Sequence, residues 1–282
     1  MVIPALNAAD TIGAQLEALA VQSWSEPWEV VVVDNGSTDG TKAVVEAYAG
    51  RLPRLRVVTA PERGQAKALN VGVREADAEA VAFCDADDEV APGWVAAMGE
   101  ALAERPVVGC RADAVKLNEP WQRAARAAQP GGRLATVLFL PNVPYAGSGG
   151  LGVQRATHEL LGGFDEAMSA LFDVDYCIRA YREGLELRFV DEAVIHYRYR
   201  DTWRGIFDQA RSYGRLNAYL QRKHADLVDA PGIVRWLLGG LKPIVRALPG
   251  LRRRSGRAKL AWLLGWQLGR YAGSVRYRVL AL

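Results

Sequence analysis

At 282 residues, half of them hydrophobic and 24% charged, the chain has a globular composition and length enough to bury a large core, which argues against disorder over most of it. Its formal net charge of +3 hides an asymmetry: Ala230 to Leu282 carries 11 Lys or Arg and no Asp or Glu, while the first 229 residues hold 24 basic and 32 acidic side chains. The three cysteines, Cys84, Cys110 and Cys177, contain no C-x-x-C pair, which argues against a disulfide scaffold or a zinc site and for a reducing compartment.

Met1 leads directly into Val2-Ile3-Pro4, so no signal peptide is expected. Val2-Ile3 reads as a short strand fragment. Thr11 to Gln22 reads as a helix with Ile12, Leu16, Leu19 and Ala20 on one face. Glu29 to Val33 is a β-branched run ending in Asp34, hence a buried strand. Asn35 to Thr41 is a turn rich in N-cap residues, and Thr41 to Tyr48 a helix. Leu55 to Thr59 is a strand, Ala66 to Glu75 a helix, and Ala80 to Cys84 a strand that ends at an aspartate cluster. This alternation predicts an α/β fold with a mainly parallel sheet flanked by helices.

From Asp113 to Ser148 the periodicity weakens. Gly149 to Val153 is glycine-rich, a helix is expected around Thr157 to Leu161, and Gly162 to Glu166 is a turn. Asp173 to Glu183 reads as a helix with Cys177, Ile178 and Tyr181 spaced to meet the core. Leu187 to Val190 and Ala193 to Tyr197 read as extended. From Trp203 onward the pattern is helical, with Pro231, Pro243 and Pro249 dividing it into short pieces. The expected organisation is one α/β domain over residues 1–200 and a basic helical extension over 201–282. No run of about 18 apolar residues is present, so no transmembrane span is expected.

In an open α/β sheet, ligands sit beyond the carboxyl ends of the strands. Asn7 follows the first strand, Asp34 ends the second, and Asp85, Asp87 and Asp88 follow the fourth. Carboxylates gathered at one edge repel, and a divalent cation relieves that repulsion; hard oxygen ligands suit Mg²⁺ or Mn²⁺ rather than zinc. Taken alone, Asp85 to Asp88 could equally be a polar turn capping a helix near Pro92, and Asp34 the start of a turn.

Taken together the motifs are more specific. Val2-Ile3-Pro4-Ala5-Leu6-Asn7, Val31-Val32-Val33-Asp34-Asn35-Gly36-Ser37-Thr38-Asp39-Gly40-Thr41, Gly64-Gln65-Ala66-Lys67-Ala68-Leu69-Asn70-Val71-Gly72, Cys84-Asp85-Ala86-Asp87-Asp88, Gly162-Gly163-Phe164-Asp165-Glu166 and Phe172-Asp173-Val174-Asp175-Tyr176-Cys177-Ile178-Arg179 occur in that order. Over about residues 1 to 200 this series resembles glycosyltransferase family 2, with its GT-A fold. The resemblance implies an inverting, metal-dependent transfer from a nucleoside-diphosphate sugar, expected to be UDP-linked, to a saccharide or lipid-linked acceptor. It places Pro4, Ala5, Leu6, Asn7 and Asp34 at the nucleoside, Asp85 at the ribose, Asp87 on Mn²⁺ or Mg²⁺, and Asp173 as general base. It sets Lys67 near the nucleotide and His196 where some relatives supply a further metal or diphosphate contact. A solvated lysine and a hydrogen-bonded core histidine are the structural alternatives for those two.

Two departures stand out. Phe172-Asp173 replaces the family's usual Glu-Asp, and the family's first strand normally begins several residues before Val2. Gln-x-x-Arg-Trp, expected of processive synthases, is missing, which favours one sugar per acceptor. A nucleotidyltransferase would carry a basic glycine-rich loop after the first strand, where Asn7-Ala8-Ala9-Asp10 stands. A non-catalytic sugar-nucleotide-binding module would not need Asp85, Asp87 and Asp173. Tyr145 to Gly150 is expected beside the sugar or acceptor, or else as a connecting loop.

In the basic tail, Trp236, Leu237, Leu238, Trp262, Leu263, Leu264 and Trp266 alternate with Arg252, Arg253, Arg254, Arg257 and Lys259. This composition suits an anionic membrane surface, at the cytoplasmic face, as partner. The alternative is packing on the catalytic domain or on a second copy in a homodimer. No nucleic-acid motif accompanies the charge, so nucleic acid is not expected.

Overall fold

The computed structural model describes residues 1–126, 132–228 and 232–281. β1 (Val2–Ala5), α1 (Ile12–Ala20), β2 (Val31–Asp34), α2 (Thr41–Glu46), β3 (Arg56–Thr59), α3 (Gln65–Glu75) and β4 (Ala80–Ala82) alternate as the sequence predicts. Next come β5 (Glu89–Val90), α4 (Trp94–Glu104), β6 (Val107–Asp113), α5 (Pro120–Arg123), β7 (Ala135–Val137) and β8 (Leu140–Tyr145). They are followed by β9 (Leu151–Gln154), α6 (Arg155–Leu160), α7 (Phe172–Arg182) and β10 (Leu187–His196). The remaining helices are α8 (Trp203–Lys223), α9 (Ile233–Leu238), α10 (Leu241–Ala247) and α11 (Arg254–Tyr277). Two compact units result. One is built mainly from Met1–Asp113 and Val143–Tyr197; the other mainly from Arg198 onward, with Thr136–Asn142 and the stretch beginning at Ala114.

In the first unit, β2 lies between β1 and β3 and runs parallel to both, with Ala5 opposite Asp34 and Asp34 opposite Thr59. A strand covered on both faces needs an unbroken apolar run, and Val30 to Val33 are all buried. α1 buries Ile12, Leu16 and Leu19 of the face read from its spacing, while Ala20 is half-buried and Gln15 is buried beside them. α3 lies so close to the sheet that a side chain at Gly72 would collide with Val2. β4 ends in a parallel bridge from Phe83 to Val2, which carries the sheet on from β1. From there the strand order is β4-β9-β6-β10-β5. β9 is antiparallel to β4 and β6, β10 parallel to β6, and β5 antiparallel to β10.

Three local expectations change. Leu187 to Val190 and Ala193 to Tyr197 are one strand, β10, whose register slips between Val190 and Val194. The exposed Asp191-Glu192 pair at the slip makes one bulged strand look like two in the sequence. Tyr181 is 49% exposed, because Phe172, Val174, Tyr176, Cys177 and Ile178 already fill the buried arc of α7. Pro243 does not divide the helical part: it sits in the first turn of α10, where no intrahelical N–H bond is owed. Pro249 lies in the short turn of 3₁₀ helix that follows, while Pro231 lies outside the described residues.

The second unit rests on α8 and α11. Along α11, Gly265, Gly269 and Gly273 recur every fourth residue and so share one face. A methyl group on any of them would meet, in turn, the backbone of Phe207, Arg211 and Arg215 on α8. Both series rise together, so the two helices run in the same direction. From the other side, Gly214 of α8 meets the backbone of Trp266. Backbones this close gain contacts that larger residues would forbid. Several arginines of this unit stack on rings: Arg254 lies over the Trp121 ring at 3.9 Å, Arg257 over Trp203 at 4.4 Å, and Arg126 over Trp262 at 4.5 Å. Buried Arg270 donates to the carbonyls of Ala281 at 2.7 Å and Trp236 at 2.5 Å.

The close approach reverses a usual preference. In an isolated helix, Gly269→Ala should add about 1 kcal/mol of stability. Here the methyl group collides with the Arg211 carbonyl, and overpacking typically costs about 1–3 kcal/mol. The variant is expected to unfold at a lower temperature by circular dichroism; an unchanged or higher midpoint would show that α8 and α11 can separate at no cost.

Candidate active site

The site begins with two loops at the carboxyl ends of β1 and β2. Asn7 stands at φ 50°, a conformation that short polar side chains tolerate, and its Oδ1 accepts the Thr38 N–H at 2.8 Å. The Asn7, Ala8 and Ala9 N–H groups donate to Ser37 Oγ, Thr41 Oγ1 and Asp39 Oδ2 at 2.8–3.0 Å. These bonds join residues 7–9 to the Ser37–Thr41 turn and shape a fixed polar rim. Asp34 is buried beneath it, accepting the Ser37 N–H at 3.2 Å with Lys42 Nζ at 3.4 Å. Burial alone would raise the Asp34 pKa, but the Ser37 hydrogen bonds and the Lys42 charge outweigh it and hold the carboxyl below its ordinary value.

Beside Asp34, buried Asn35 ties down the next loop. Its Nδ2 donates to the Glu62 carbonyl at 2.8 Å and its Oδ1 accepts the Gly64 N–H at 2.7 Å. Gly64, at φ 143°, then opens α3, and Gln65 in the first turn of that helix donates to Asp85 Oδ1 at 2.9 Å. The chain after β4 is pinned by the Cys84 N–H on the Val2 carbonyl at 3.2 Å. Directly beyond, Asp85, Asp87 and Asp88 bring carboxylate oxygens to within 4.8 Å of one another. β5 follows at Glu89, so this cluster does not cap the next helix; α4 begins at Trp94 after Gly93.

The opposite wall is the Ser148–Gly150 turn, which is buried throughout. A Cβ at Gly149 would lie 2.9 Å from Asp85 Oδ2 and 3.3 Å from Asp88 Oδ2. The backbone therefore approaches the carboxylates as only glycine allows. Three oxygen donors against a small backbone-walled space fit a hard divalent cation such as Mg²⁺ or Mn²⁺. The same turn reaches Asp173: the Ser148 N–H donates to Asp173 Oδ2 at 2.9 Å, and the Val174 N–H to Oδ1 at 2.9 Å. Burial raises the Asp173 pKa above the ordinary carboxylate value despite those two hydrogen bonds. Within Tyr145 to Gly150, Ser148 and Gly149 are therefore the residues that meet the three aspartates Asp85, Asp88 and Asp173.

Behind Asp173, the start of α7 is held by an aromatic cluster in which Phe164 meets Phe172 at 5.4 Å and Tyr176 at 4.9 Å. Asn70 of α3 locks the Gly162–Glu166 turn to this cluster. Its Nδ2 donates to the Phe164 carbonyl and to Glu166 Oε1, and its Oδ1 accepts the Phe164 N–H, each at 2.9 Å. Buried His158 faces Asn70 Oδ1 at 3.2 Å, and burial lowers its pKa to about 4, so the ring is neutral.

The other residues singled out in the sequence fall at different distances from this centre. Pro4 and Ala5 lie in β1, and Leu6, 45% exposed, opens the loop beyond it. Lys67 is paired with Glu62. His196 is not one of the three gathered carboxylate ligands; its Nδ1 lies 2.8 Å from Asp113 Oδ2, and in the sheet it stands opposite Glu89, which follows Asp88. Asn35 and Gln65 enter the sequence reading only inside longer motifs, and Gly149 only within the Tyr145–Gly150 segment. For Gly149 a signal existed, since paired glycines beside a strand mark close backbone approach.

The sequence model of the family described as Glycosyl transferase family 2 matches residues 1–162. A pre-mycofactocin glycosyltransferase of Mycobacterium tuberculosis is 28% identical over 256 residues, covering 87% of this chain and 50% of the relative. YibD, an uncharacterized glycosyltransferase of Escherichia coli (strain K12), is 34% identical over 126 residues, 43% of this chain and 36% of its own length. The chain thus spans half or less of these relatives. Among solved structures, the mannosyltransferase PcManGT from Pyrobaculum calidifontis, in complex with GDP-Man and Mn²⁺, superposes with a TM-score of 0.63 at 23% identity, covering 98% of this chain and 74% of that one. S. aureus TarS 1-349 in complex with UDP-GlcNAc gives 0.57 at 19% identity, covering 98% of this chain and 90% of that one. These likenesses establish the GT-A type of fold. With a family match over more than half its length and the family's motifs gathered at one sheet edge, the chain belongs to glycosyl transferase family 2.

Proposed function

We propose that the chain transfers one sugar, with inversion, from a nucleoside-diphosphate sugar to an acceptor hydroxyl, with Asp173 as general base. The observation that carries this reading is the Ser148–Gly150 turn, which holds Asp173 by a backbone N–H and stands within one residue of it against Asp85 and Asp88. Structural neighbours that hold GDP-Man and UDP-GlcNAc support a nucleotide-sugar donor, and the donor we propose is UDP-linked. Pro4, Ala5, Leu6, Asn7 and Asp34 would receive the nucleoside, Asp85 the ribose, and Lys67 the region beside it. Asp87, with the neighbouring carboxylates and His196, would hold Mn²⁺ or Mg²⁺, an ion that neutralises negative charge on a leaving diphosphate. The acceptor would be a saccharide or a lipid-linked acceptor. Three buried free thiols support a reducing, cytoplasmic setting.

The transfer is a single displacement. The acceptor oxygen forms a bond to the anomeric carbon as the bond to the diphosphate oxygen breaks, and the hydroxyl proton passes to Asp173. The Ser148 and Val174 N–H groups fix the carboxylate for that transfer. Burial makes it a stronger base than an exposed aspartate, and general-base assistance is worth about 10²–10⁴-fold.

Chelation with EDTA is expected to abolish transfer and Mn²⁺ or Mg²⁺ to restore it, while Asp87→Ala removes activity and leaves the melting temperature nearly unchanged. Full turnover of a nucleotide sugar in chelator would end the metal assignment. Gly149→Ala should raise the Mn²⁺ concentration for half-maximal activity by about tenfold or more, since groups that orient metal ligands matter at that scale. An unaltered metal requirement would dissociate the turn from the carboxylate cluster.

Asp173→Asn should lower kcat by about 10²-fold or more with little change in donor KM. In the wild type, the acid limb of the rate profile should lie above the ordinary aspartate range, because the carboxylate is the active form and its pKa is raised. A raised folded-state pKa means that ionisation costs stability as pH climbs through it, so at neutral pH the asparagine variant should melt no lower than the wild type. Collapse of donor binding in this variant would instead place Asp173 at the nucleotide.

A further inference from the structure

The second unit leaves one apolar face uncovered. Ile233, Val234, Leu237 and Leu238 of α9, with Leu241 and Val245 of α10, are each 45–65% exposed. Leu248 and Leu251 extend the face, so that eight of the nineteen exposed large hydrophobics among the described residues fall within 233–251. Of the other eleven, Leu264, Leu268 and Val275 share one face of α11 and the rest are spread through the chain, so no other described stretch of about twenty residues is as dense in exposed apolar side chains. Gly232, Ile233, Val234, Leu238, Gly239 and Lys242 line an open groove on it.

The tryptophans of the tail are used differently. Trp236 meets Tyr271 edge-on at 5.2 Å and donates Nε1 to Ser274 at 3.1 Å, and Trp262 meets Tyr213 at 6.1 Å. Membrane contact through these rings, as the sequence composition suggests, would cost packing inside the unit. The open face is instead aliphatic and is flanked by exposed Lys242, Arg246, Arg252 and Arg253.

We propose that α9 and α10 form a docking surface for an anionic lipid bilayer, lying in the boundary between headgroups and acyl chains. Two observations carry this. The apolar side chains run at helical spacing, which lays a helix flat on an apolar medium. The sequence from Ala230 onward has no acidic residue, and basic side chains near an anionic leaflet are attracted by about 1 kcal/mol each. A second copy fits the face less well. A two-fold interface would bring two copies of the Lys242, Arg246, Arg252 and Arg253 rim to one interface, with no acidic residue from 230–282 to pair with them. This inference does not depend on the catalytic reading.

The test is co-sedimentation of the whole chain with phosphatidylcholine vesicles, with and without phosphatidylglycerol. The wild type should pellet with the anionic vesicles at low salt, less as salt is raised, and little with the neutral ones. Val234→Asp combined with Leu238→Asp should lower the partition coefficient by about tenfold or more, since both acidic groups would enter the interface. Lys242→Glu with Arg246→Glu should do the same from the charged side. All four residues are exposed, and far-ultraviolet circular dichroism should match the wild type. The inference is overturned if the wild type stays in solution with anionic vesicles, or if both pairs of substitutions leave pelleting unchanged. It is also overturned if sedimentation velocity shows a dimer that the aspartate pair dissolves while vesicle binding persists, which would assign the face to a second copy.

Discussion

Asp85, Asp88 and the backbone of Gly149 compete for the same few ångströms, and most of the first unit can be understood as the means of holding them there. β4 and the Val2–Phe83 bridge deliver the aspartates from one side. β9, antiparallel between β4 and β6, delivers the Ser148–Gly150 turn from the other. The two sides are tied together, because the Phe83 N–H donates to the Leu151 carbonyl at 2.9 Å and both residues are fully buried. Carboxylates confined in this way repel unless something positive lies between them. A cation held there would relieve electrostatic strain built by the fold, which would link its affinity to the rigidity of the sheet edge.

Asp173 falls under the same constraint. One turn serves two groups: its glycine makes room for the acidic cluster, and its preceding N–H fixes the Asp173 carboxyl. The position of Asp173 relative to the cluster is thereby set by a tripeptide rather than by long side chains. Asn70 and the aromatic cluster of Phe164, Phe172 and Tyr176 brace the far end. They are apolar or internally hydrogen-bonded, so their contribution is stiffness, not charge. The acidic polar rim around Asp34 is likewise satisfied by its own loops, with Ser37 and Lys42 already engaged.

What could be read from sequence follows from the range of each interaction. The β-branched run Val30–Val33 and the apolar face of α1 are local patterns with a fixed period, and they emerge where expected. Asp85, Asp87 and Asp88 could be found because they adjoin in the chain. Asn35 and Gln65 could not, because their partners at Glu62, Gly64 and Asp85 become neighbours only when three strand ends align. Tyr181 failed for a related reason: helical period marks an arc, while the aromatic neighbours decide how much of that arc is covered. The every-fourth glycines of α11 were written in the sequence, but a small-residue stripe acquires meaning only with the partner helix beside it. Composition alone does not say which basic residues of the tail pack and which face outward: Arg254, Arg257 and Arg270 pack on rings and carbonyls, and Lys242, Arg246, Arg252 and Arg253 stay exposed.

The common direction of α8 and α11 has a consequence for how the second unit comes together in time. Helical assemblies usually fold fast because hairpin neighbours meet early. Parallel helices cannot be hairpin neighbours. After α8, 21 residues and therefore about 30 Å long, the chain must travel back before α11 can begin. Contacts such as Gly265 with Phe207 close a loop of about sixty residues, and the entropy of that closure is spent before any of the glycine contacts repays it. The docking of α11 is thus a late, non-local event. Until it happens, the groove on α8 around Gly214 stands open, and a nascent or heat-stressed chain should be most vulnerable to proteolysis and association along that groove.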